Sequence, residues 1–320
     1  MKLIWREMIL SVVMAMILPG VLLNWPGVED VPEETEFRPI DPQQSVSRVR
    51  LTMRLRQEDG TVLEMDMDEY LVGVILAEMP STFAPEAKKA QAVAARTFAR
   101  KAYVTGGKHR DGSVCTESGC CQAYLTGNAY LEQGGSRNAI TEAEAAVAAT
   151  SGLVLMYNGS LIEATYFSCS GGSTEDAVAV WGTDYPYLRA VESPGEEYAA
   201  HYEDEVRFTN SELEAKLAVS LRGNWLGEVS YTAGGGVDTI VLGGKQFTGK
   251  QLRSVLGLKS TAFSIEPLSE GAVIRTKGFG HRVGMSQYGA DAMAMGGSSY
   301  QEILDYYYPG TTLELTNESE

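Results

Sequence analysis

Residues 71–99 read LVGVILAEMPSTFAPEAKKAQAVAARTFA, and this stretch predicts two successive helices. The first helix begins at Asp66, with Glu69 three places later as in a capping box, and Pro80 ends it because proline cannot continue a helix. Pro85 opens the second helix at a position where proline is tolerated. Alanines along the second helix allow close packing against a neighbour.

Strand signals lie on both sides of the helix pair. Residues 47–57 alternate apolar and basic side chains, and residues 61–65 return as a second strand after the turn signal Asp59-Gly60. Residues 153–168 predict a second hairpin with Asn158-Gly159 at its turn. Strands and helices continue to the C-terminus without regular βαβ alternation, which predicts an α+β fold in a single large domain.

An apolar stretch at residues 8–25 predicts a transmembrane anchor. Lys2 and Arg6 precede it and acidic residues follow it, so residues 1–7 are expected in the cytoplasm and the rest of the chain outside. A cleaved signal peptide is the alternative, although no cleavage site of the A-x-A type follows the apolar run. Both interpretations send the remainder of the chain across a membrane.

The domain that follows is strongly acidic. The chain has 320 residues and a formal net charge of −16, which argues against a sequence-independent nucleic-acid binder because such a surface repels phosphate. Residues 26–46 contain four prolines and are interpreted as an extracytoplasmic linker. Residues 47–315 then form the folded domain, and residues 316–320 a short tail.

Glu78 is an ionisable residue at the end of the first predicted helix. The helix macrodipole is negative at that end, and the apolar neighbours Ile75, Leu76 and Met79 predict desolvation. Both effects raise the pKa of a carboxyl, and a carboxyl that is protonated near neutral pH can act as a general acid. The local sequence leaves open the alternative of an ordinary exposed glutamate.

Three long blocks of the chain resemble the SpoIID family of lytic transglycosylases. They are residues 71–99, quoted above, residues 166–194 (YFSCSGGSTEDAVAVWGTDYPYLRAVESP) and residues 278–313 (GFGHRVGMSQYGADAMAMGGSSYQEILDYYYPGTTL). The blocks occur in the family's order and the resemblance covers roughly residues 47–315, which argues against chance. Members of this family are tethered to the membrane and face the cell wall.

The resemblance implies cleavage of peptidoglycan glycan between N-acetylmuramic acid and N-acetylglucosamine, with a 1,6-anhydro ring on the product. In the family the glutamate of the AEMP motif is the catalytic acid, which carries over to Glu78. The C6 hydroxyl of the sugar takes the place of the second carboxylate or the water that ordinary glycosidases use. A noncatalytic glycan-binding scaffold or amidase enhancer is the alternative function, and a zinc hydrolase a weaker one.

The resemblance also implies partners and a location. Family members prefer glycan strands that a partner amidase has stripped of stem peptides. The expected partners are therefore glycan strands, a cell-wall amidase and a membrane partner in a sporulation engulfment complex, and nucleic acid is not expected. In a sporulating cell the domain is expected between mother cell and forespore.

Candidate substrate-binding residues lie in the same three blocks. Arg96 can hold a carboxylate or an N-acetyl carbonyl, with a structural ion pair as the alternative. The family often shows GHGVGMSQ, so Arg282 departs at a position usually held by glycine. Core packing is the better expectation for Trp181, with sugar stacking the alternative. The predicted substrate-binding set is Arg96, Ser170, Gly171, Gly172, Thr174, His281, Ser286, Gln287 and Tyr288.

The segment HRDGSVCTESGCC contains His109, Cys115, Cys120 and Cys121. Three sulfurs and one imidazole form a Cys₃His tetrahedral zinc set, with disulfides as the alternative outside the cytoplasm. Some family members have a metal cluster here with the spacing H-x5-C-x4-H-C, so Cys120 replaces one kind of zinc ligand by another. We predict a structural zinc, because four protein ligands leave no open position for chemistry. Cys169 lies outside the spacing and is predicted to be a buried thiol.

Overall fold

The computed structural model describes residues 51–316, and this part of the chain has an α+β fold. The predicted transmembrane anchor and linker, together with residues 317–320, lie outside the described residues. The anchor therefore stays a prediction. Between residues 51 and 316 every helix is too short or too polar to cross a bilayer.

The described part of the chain contains nine helices. They are α1 (Met67–Glu78), α2 (Pro85–Thr105), α3 (Gly127–Glu132), α4 (Arg137–Ala149), α5 (Ala177–Trp181), α6 (Asn210–Leu217), α7 (Gly249–Leu256), α8 (Gln287–Met295) and α9 (Tyr300–Tyr307). The helix pair predicted from residues 71–99 is confirmed as α1 and α2. The Asp66 side chain accepts hydrogen bonds from the backbone N–H groups of Asp68 and Glu69, and Pro85 is the first residue of α2.

Residues 51–316 also contain sixteen strands, most of them short. They are β1 (Thr52–Arg56), β2 (Val62–Asp66), β3 (Val114–Cys115), β4 (Leu153–Tyr157), β5 (Ser160–Leu161), β6 (Tyr166–Phe167), β7 (Gly172–Ser173), β8 (Glu192–Ser193), β9 (Glu203–Thr209), β10 (Leu226–Tyr231), β11 (Val237–Leu242), β12 (Lys245–Thr248), β13 (Ala262–Leu268), β14 (Gly271–Lys277), β15 (Met285–Ser286) and β16 (Thr312–Leu315).

The strands form small sheets with the orders β2-β1-β3, β10-β11-β12, β13-β14-β9, β15-β6, β16-β4-β5 and β7-β8. Both predicted hairpins are present, as antiparallel pairs β1–β2 and β4–β5. The second hairpin turns at Asn158 and Gly159, which both have positive φ as a tight two-residue turn requires.

One parallel pairing joins two of the sequence blocks. Strands β15 and β6 run in parallel, with Met285 opposite Tyr166 and Ser286 opposite Phe167. An isolated bridge between Cys169 and Phe279 continues the contact. Block 166–194 and block 278–313 therefore lie side by side, although more than 80 residues separate them in the chain.

Two hydrophobic cores lie within the predicted single domain. The main core surrounds α2, whose alanines are buried and let α1, α4, α8 and β4 approach closely. The second core contains Leu213, Trp225, Ile240, Leu252 and other side chains of residues 213–274. This second core belongs to a subdomain, residues 203–277, inserted between the two blocks that β15 and β6 join.

Candidate active site

Glu78 is the last residue of α1, and its half-buried carboxyl contacts two other parts of the chain. Oε1 accepts a hydrogen bond from the backbone N–H of Ala123 at 2.8 Å. Oε2 accepts one from the side-chain amide of Gln287 at 3.2 Å. Both partners are neutral, and within residues 51–316 no Lys or Arg forms an ion pair with Glu78.

Burial raises the pKa of Glu78 above its ordinary value, and the hydrogen bonds from Ala123 and Gln287 offset only part of this rise. The negative end of the α1 dipole acts in the same direction as burial. No second carboxylate among the described residues perturbs the pKa of Glu78. The group is a solitary acid that keeps its proton to a higher pH than an exposed glutamate, as a general acid requires.

Gly73 explains how Ala123 reaches Glu78. The backbone N–H of Leu125 donates to the carbonyl of Gly73 at 3.1 Å, which lays residues 123–125 along α1. A Cβ on Gly73 would lie 2.3 Å from the ring of Tyr124, so a larger residue would push this segment away. A glycine inside a predicted helix is a sequence signal that could have indicated this close approach, but it was not used.

The fully buried Tyr70 and the half-buried Tyr166 both bind Gln122, the residue before Ala123. Tyr70 donates to Oε1 of Gln122 at 2.8 Å, and Nε2 of Gln122 donates to the hydroxyl of Tyr166 at 2.9 Å. Burial, and after it the Glu78 carboxylate, raises the pKa of Tyr166, so this phenol stays neutral. The backbone N–H of Ala123 is thereby fixed by its neighbour Gln122. Sequence analysis singled out neither phenol, although Tyr166 begins the second block, because no local pattern indicates that both contact Gln122.

The third block, residues 278–313, supplies Gln287 and Tyr288. The ring of Tyr288 forms an aromatic rim with Phe83 and Tyr198. Ser286 caps α8 by accepting from the N–H of Gly289, which places Gln287 in the first turn beside Glu78. Ser286 itself is fully buried, so its predicted substrate contact is replaced by this capping role. Tyr288 is half-buried, with its ring centroid 4.9 Å from that of Phe83 and 5.3 Å from that of Tyr198.

Tyr198 extends that rim toward solvent. It is 49% exposed, the most accessible aromatic residue of this cluster. Its hydroxyl donates to Oδ2 of Asp291 at 2.7 Å, while Oδ1 of Asp291 accepts from the N–H of Ala84 at 2.7 Å. Sequence analysis missed Tyr198, since only the fold brings it next to Tyr288.

The SGGST loop comprises residues 170–174, and its buried side chains have structural roles. Ser170 is fully buried and donates to Glu196 through both its hydroxyl, at 2.8 Å, and its N–H, at 2.6 Å. Thr174 is also fully buried, and its hydroxyl donates to the carbonyl of Arg189 at 3.2 Å. The predicted side-chain contacts of Ser170 and Thr174 with substrate are corrected accordingly, because neither hydroxyl reaches solvent.

Gly171 and Gly172 both adopt positive φ, which supports the predicted need for glycine. The close approach at Gly171 is to the protein's own backbone, since a Cβ there would lie 2.5 Å from the nitrogen of Gly278. Gly172 is half-buried, as are Gly171 and Ser173, and its Cβ position is free of backbone.

Arg96 is fully buried in α2 and does not reach a cleft. Its guanidinium donates to Asp68 at 3.1 Å and to the carbonyl of Thr150 at 2.7 Å. The predicted substrate contact of Arg96 is therefore corrected to the ion pair that was its alternative. Arg96 is buried because α2 is the central helix of the main core and Arg96 lies on its inner side.

His281 is held neutral between two aromatic rings. Its Nδ1 accepts from the N–H of Val283 at 3.1 Å, and its ring centroid lies 5.7 Å from Phe167 and 5.2 Å from Trp181. Burial is the main cause that lowers the pKa of His281 to about 4. Trp181 is 39% exposed, so the expectation of core packing was wrong for this side chain.

Arg282 keeps the left-handed conformation that glycine usually supplies, with φ of 66°. Its buried guanidinium donates to the carbonyls of Ser170 at 2.8 Å and Gly234 at 2.8 Å, and to Glu175 at 3.2 Å. Glu175 also accepts from the N–H of Gly236 at 2.9 Å. Arg282 therefore joins the SGGST loop to the inserted subdomain.

The four predicted metal ligands come together in space. The ligand atoms of His109, Cys115, Cys120 and Cys121 all lie within 4.8 Å of one another. Cys120 Sγ is 3.8 Å from His109 Nε2 and 3.9 Å from Cys121 Sγ. A tetrahedron with zinc–sulfur bonds of about 2.3 Å has edges of about 3.8 Å, so this donor set fits zinc. The cysteines of residues 51–316, including buried Cys169, form no disulfide.

A separate groove of about 500 Å³ lies between α1 and α4. Asp68, Glu69 and Glu144 contribute its charged side chains, and Glu78 does not line it. The groove therefore holds none of the predicted site residues and lacks the solitary acid.

The fold and the site define an α+β protein in which the half-buried carboxyl of Glu78, with a raised pKa, lies near a cysteine-rich loop. A family model described as Stage II sporulation protein, SpoIID, matches residues 56–157. Stage II sporulation protein D of Bacillus subtilis (strain 168) is 39% identical over 264 residues, covering 81% of this chain and 77% of the relative. The protein of the same name from Bacillus amyloliquefaciens matches with the same identity and coverage.

The chain belongs to the SpoIID family, and the resemblance found in its three blocks is confirmed. Another relative is the Amidase enhancer of Bacillus subtilis (strain 168), which is 33% identical over 302 residues. That match covers 76% of this chain but 40% of the relative.

Proposed function

We propose that this chain is a lytic transglycosylase that cleaves peptidoglycan glycan between N-acetylmuramic acid and N-acetylglucosamine. The observation that carries the proposal is the solitary acid Glu78, half-buried, with a raised pKa and no second carboxylate that perturbs it among the described residues. Ordinary glycosidases place two carboxyl groups about 5–9.5 Å apart. A single acid favours a reaction in which the substrate supplies its own nucleophile.

The proposed reaction needs Glu78 as its single proton donor and acceptor. Protonated Glu78 donates its proton to the glycosidic oxygen, and the bond between that oxygen and the anomeric carbon breaks. The C6 hydroxyl of the same muramic acid residue attacks the anomeric carbon and gives its proton to the Glu78 carboxylate. The new bond closes the 1,6-anhydro ring, the other strand leaves with a free hydroxyl, and no water is consumed. Glu78 is protonated again at the end, so one group serves as acid and base.

Neighbours of Glu78 support sugar binding at this point. The amide of Gln287 already donates to Glu78 and keeps the carboxyl in one orientation. Tyr288 follows Gln287 in the chain and forms an aromatic rim with Tyr198, which is 49% exposed, and aromatic faces stack on sugar rings. Within the predicted set, Gln287, Tyr288 and Gly172 are the residues whose positions favour substrate contact.

We also propose that His109, Cys115, Cys120 and Cys121 hold a structural zinc, since their geometry fits that ion. Bound zinc would cross-link the loop and leave no coordination position for substrate. The last ligand lies two residues before Ala123, whose N–H binds Glu78. In this proposal the metal keeps that N–H directed at the acid.

The proposed setting is sporulation. Relatives named stage II sporulation protein D support a role in sporulation, and the role we propose there is septal wall remodelling and engulfment. The predicted anchor places the enzyme on the cell membrane, as a single-pass protein, with its domain between mother cell and forespore. Its proposed partners are peptide-free glycan strands, a cell-wall amidase and a membrane partner of the engulfment complex.

A second function is favoured by one comparison. The relative named Amidase enhancer supports a noncatalytic glycan-binding scaffold that assists a wall amidase. A binder of this kind needs no carboxyl with a raised pKa. Burial raises the pKa of Glu78, which favours the transglycosylase. The two functions differ in whether the chain forms anhydro ends.

The test digests purified peptide-free glycan strands with the full-length chain in detergent. Wild type is expected to release anhydro-ended fragments, and Glu78→Gln to be slower by about 10²–10⁴-fold, the usual contribution of a general acid. Glu69→Gln is the matched control, since it removes an exposed carboxyl from the same helix α1. Equal activity of wild type and Glu78→Gln contradicts the proposal, and glycan binding without cleavage by wild type favours the scaffold.

A further inference from the structure

Glu196 is a fully buried carboxyl that the proposed reaction does not use. Its Oε2 accepts from the N–H of Ser170 at 2.6 Å, and its Oε1 accepts from the hydroxyls of Ser170, at 2.8 Å, and of Ser193. The charge of Arg282 also acts on Glu196, but the Arg282 guanidinium binds Glu175. Glu196 is therefore held by hydrogen bonds from neutral groups.

The donors around Glu196 all point toward it. Because the Ser193 hydroxyl gives its one proton to Glu196, Tyr307 is the donor in the 2.5 Å hydrogen bond between Tyr307 and Ser193. The Ser170 hydroxyl likewise donates to Glu196 while it accepts from the N–H of Gly172 at 3.0 Å. An ionised carboxylate only accepts hydrogen bonds, so this arrangement suits the charged form of Glu196.

One connection from Glu196 to the proposed acid runs through residues 168–170. Glu196 binds both the N–H and the hydroxyl of Ser170. Two residues earlier, the carbonyl of Ser168 accepts from the N–H of Tyr288 at 3.0 Å. Tyr288 directly follows Gln287, so the first turn of α8 is fixed to the segment that Glu196 holds.

A second connection runs through Gly289 on the same helix. A Cβ on Gly289 would lie 2.7 Å from Oε1 of Glu196, and closer still to the hydroxyls of Ser193 and Tyr307. The backbone of α8 therefore packs directly against the hydroxyl network. The N–H of Gly289 donates to the hydroxyl of Ser286 at 3.2 Å, so the network also fixes the cap of α8.

We propose that Glu196 is a positioning residue for the proposed reaction, which holds the first turn of α8 so that the Gln287 amide stays directed at Glu78. This inference rests on the proposed function, because Glu78 is the acid of that reaction. Glu196 exerts no direct electrostatic effect on Glu78, whose pKa responds to burial, to Ala123 and to Gln287. Any influence of Glu196 on Glu78 therefore passes through the position of α8.

The other titratable groups near the two carboxyls do not change charge near neutral pH. Arg282 stays a cation, and burial raises the pKa of each phenol and thiol, so these stay neutral. The neutral groups are Tyr70 and Tyr166 near Glu78, and Cys169, Tyr198, Tyr202 and Tyr307 near Glu196. A change in the titration of Glu78 therefore reports on its hydrogen bonds.

The test follows the ¹³C chemical shift of the Glu78 carboxyl against pH in the full-length chain. Glu196→Gln keeps the size of the side chain but places an NH₂ group among groups that all donate, so α8 loses this support. The Glu78 midpoint is expected to rise by about 0.5–1 pH unit, the effect of losing one hydrogen bond to the carboxylate. An unchanged midpoint overturns the inference. A lower midpoint also overturns it, because loss of a nearby negative charge acts in that direction.

Glu197→Gln is the matched control, because it removes an exposed carboxyl at the next position and should leave the midpoint in place. Leu252→Ala opens a cavity in the second core, so it should lower stability without moving the midpoint. The double variant of Glu196→Gln with Gln287→Met should shift the midpoint no further than Gln287→Met alone, since both changes act on one donor. Additive shifts contradict the inference.

Ser193→Ala decides the question if Glu196→Gln does not fold. It removes a single donor from Glu196 and leaves both hydrogen bonds from Ser170. The Glu78 midpoint is expected to rise in the same direction by a smaller amount. A folded Ser193→Ala variant with the midpoint of wild type overturns the inference.

Failure of the inference is separable from failure of the proposed function, because the titration of Glu78 does not depend on cleavage. Anhydro ends released by wild type, together with an unchanged midpoint in Glu196→Gln, would leave the transglycosylase and remove the role of Glu196. A raised midpoint without anhydro ends would leave Glu196 as the residue that positions Gln287 in a glycan-binding scaffold.

Discussion

Among the glutamates removed from water, Glu175 and Glu78 have surroundings that act on the carboxyl in opposite ways. Glu175 is 1% exposed and faces Arg282, with further hydrogen bonds from Thr232 and the N–H of Gly236. Glu78 is half-buried and receives two neutral donors, with no cation paired to it. The first arrangement stabilises a carboxylate, whereas the second favours a carboxylic acid.

The difference separates a charge with a structural role, at Glu175, from a carboxyl whose surroundings suit acid chemistry, at Glu78. A buried ion pair is a weak source of stability, but the loss of one partner is costly because the other charge stays buried. A solitary buried acid is costly when ionised, and that cost is what makes it a proton donor. Substitutions at the two sites are therefore expected to change stability with opposite signs.

The largest effect is expected at the ion pair. Arg282→Gln leaves Glu175 buried without a cation and should lower the free energy of unfolding by about 3–5 kcal/mol. Urea unfolding of the full-length chain measures this change. The double variant with Glu175→Gln should recover most of the loss. A loss below about 1 kcal/mol in the single variant would mean that the two sites do not differ as described.

Metal removal is expected to have the next largest effect. A ligand present at about 100 times its Kd stabilises the folded state by about 2.7 kcal/mol, so chelation should lower Tm and also the activity that depends on Ala123. Cys120→Ser should reduce the bound zinc measured by metal analysis. Cys169→Ser, outside the cluster, is the control and should keep it. Equal zinc content in both variants would remove the proposed metal site.

Glu78→Gln is expected to give a smaller change of opposite sign. The raised pKa of Glu78 means that stability is fully present below its ordinary pKa and declines as pH rises through the folded value. Glutamine does not ionise, so the variant should gain about 0.5–2 kcal/mol at neutral pH and little below pH of about 4. Thermal unfolding at the two pH values measures the gain. A loss at neutral pH would place Glu78 with Glu175 as a paired structural charge.

The smallest effect is expected at Gln287, whose amide favours the ionised form of Glu78. Gln287→Met removes this donor, so the pKa of Glu78 should rise further and the alkaline limb of the activity profile should move to higher pH. Gln301→Met, a half-exposed glutamine on α9, is the control that should leave the limb in place. A shift to lower pH would contradict the assigned role of Gln287.

Local patterns were sufficient to predict α1 and α2, both hairpins and the position of Glu78 at the end of α1, whereas α3, α4 and α5 were not predicted. The spacing of His109 and three cysteines also predicted that their ligand atoms meet, because thirteen residues confine them to one loop. These features depend on neighbours in the chain, which periodicity and turn residues report directly.

The remaining site depends on contacts between distant residues. Ala123 binds Glu78 across 45 residues and Gln287 binds it across 209, and no local pattern indicates either pairing. Arg96 was predicted to lie in a cleft because a guanidinium can bind a carboxylate or an N-acetyl carbonyl. The packing of α2 instead buries it. The inserted subdomain and its separate core were not predicted, since strand and helix signals do not reveal which core they join.

The central claim is that Glu78 is a carboxylic acid at a pH where an exposed glutamate is ionised. The most direct measurement is the ¹³C chemical shift of the Glu78 carboxyl carbon as a function of pH, assigned by comparison with Glu78→Gln. We expect a midpoint above the ordinary glutamate pKa of about 4.3. A midpoint at or below that value would contradict the account, because the carboxyl would then have no proton to donate.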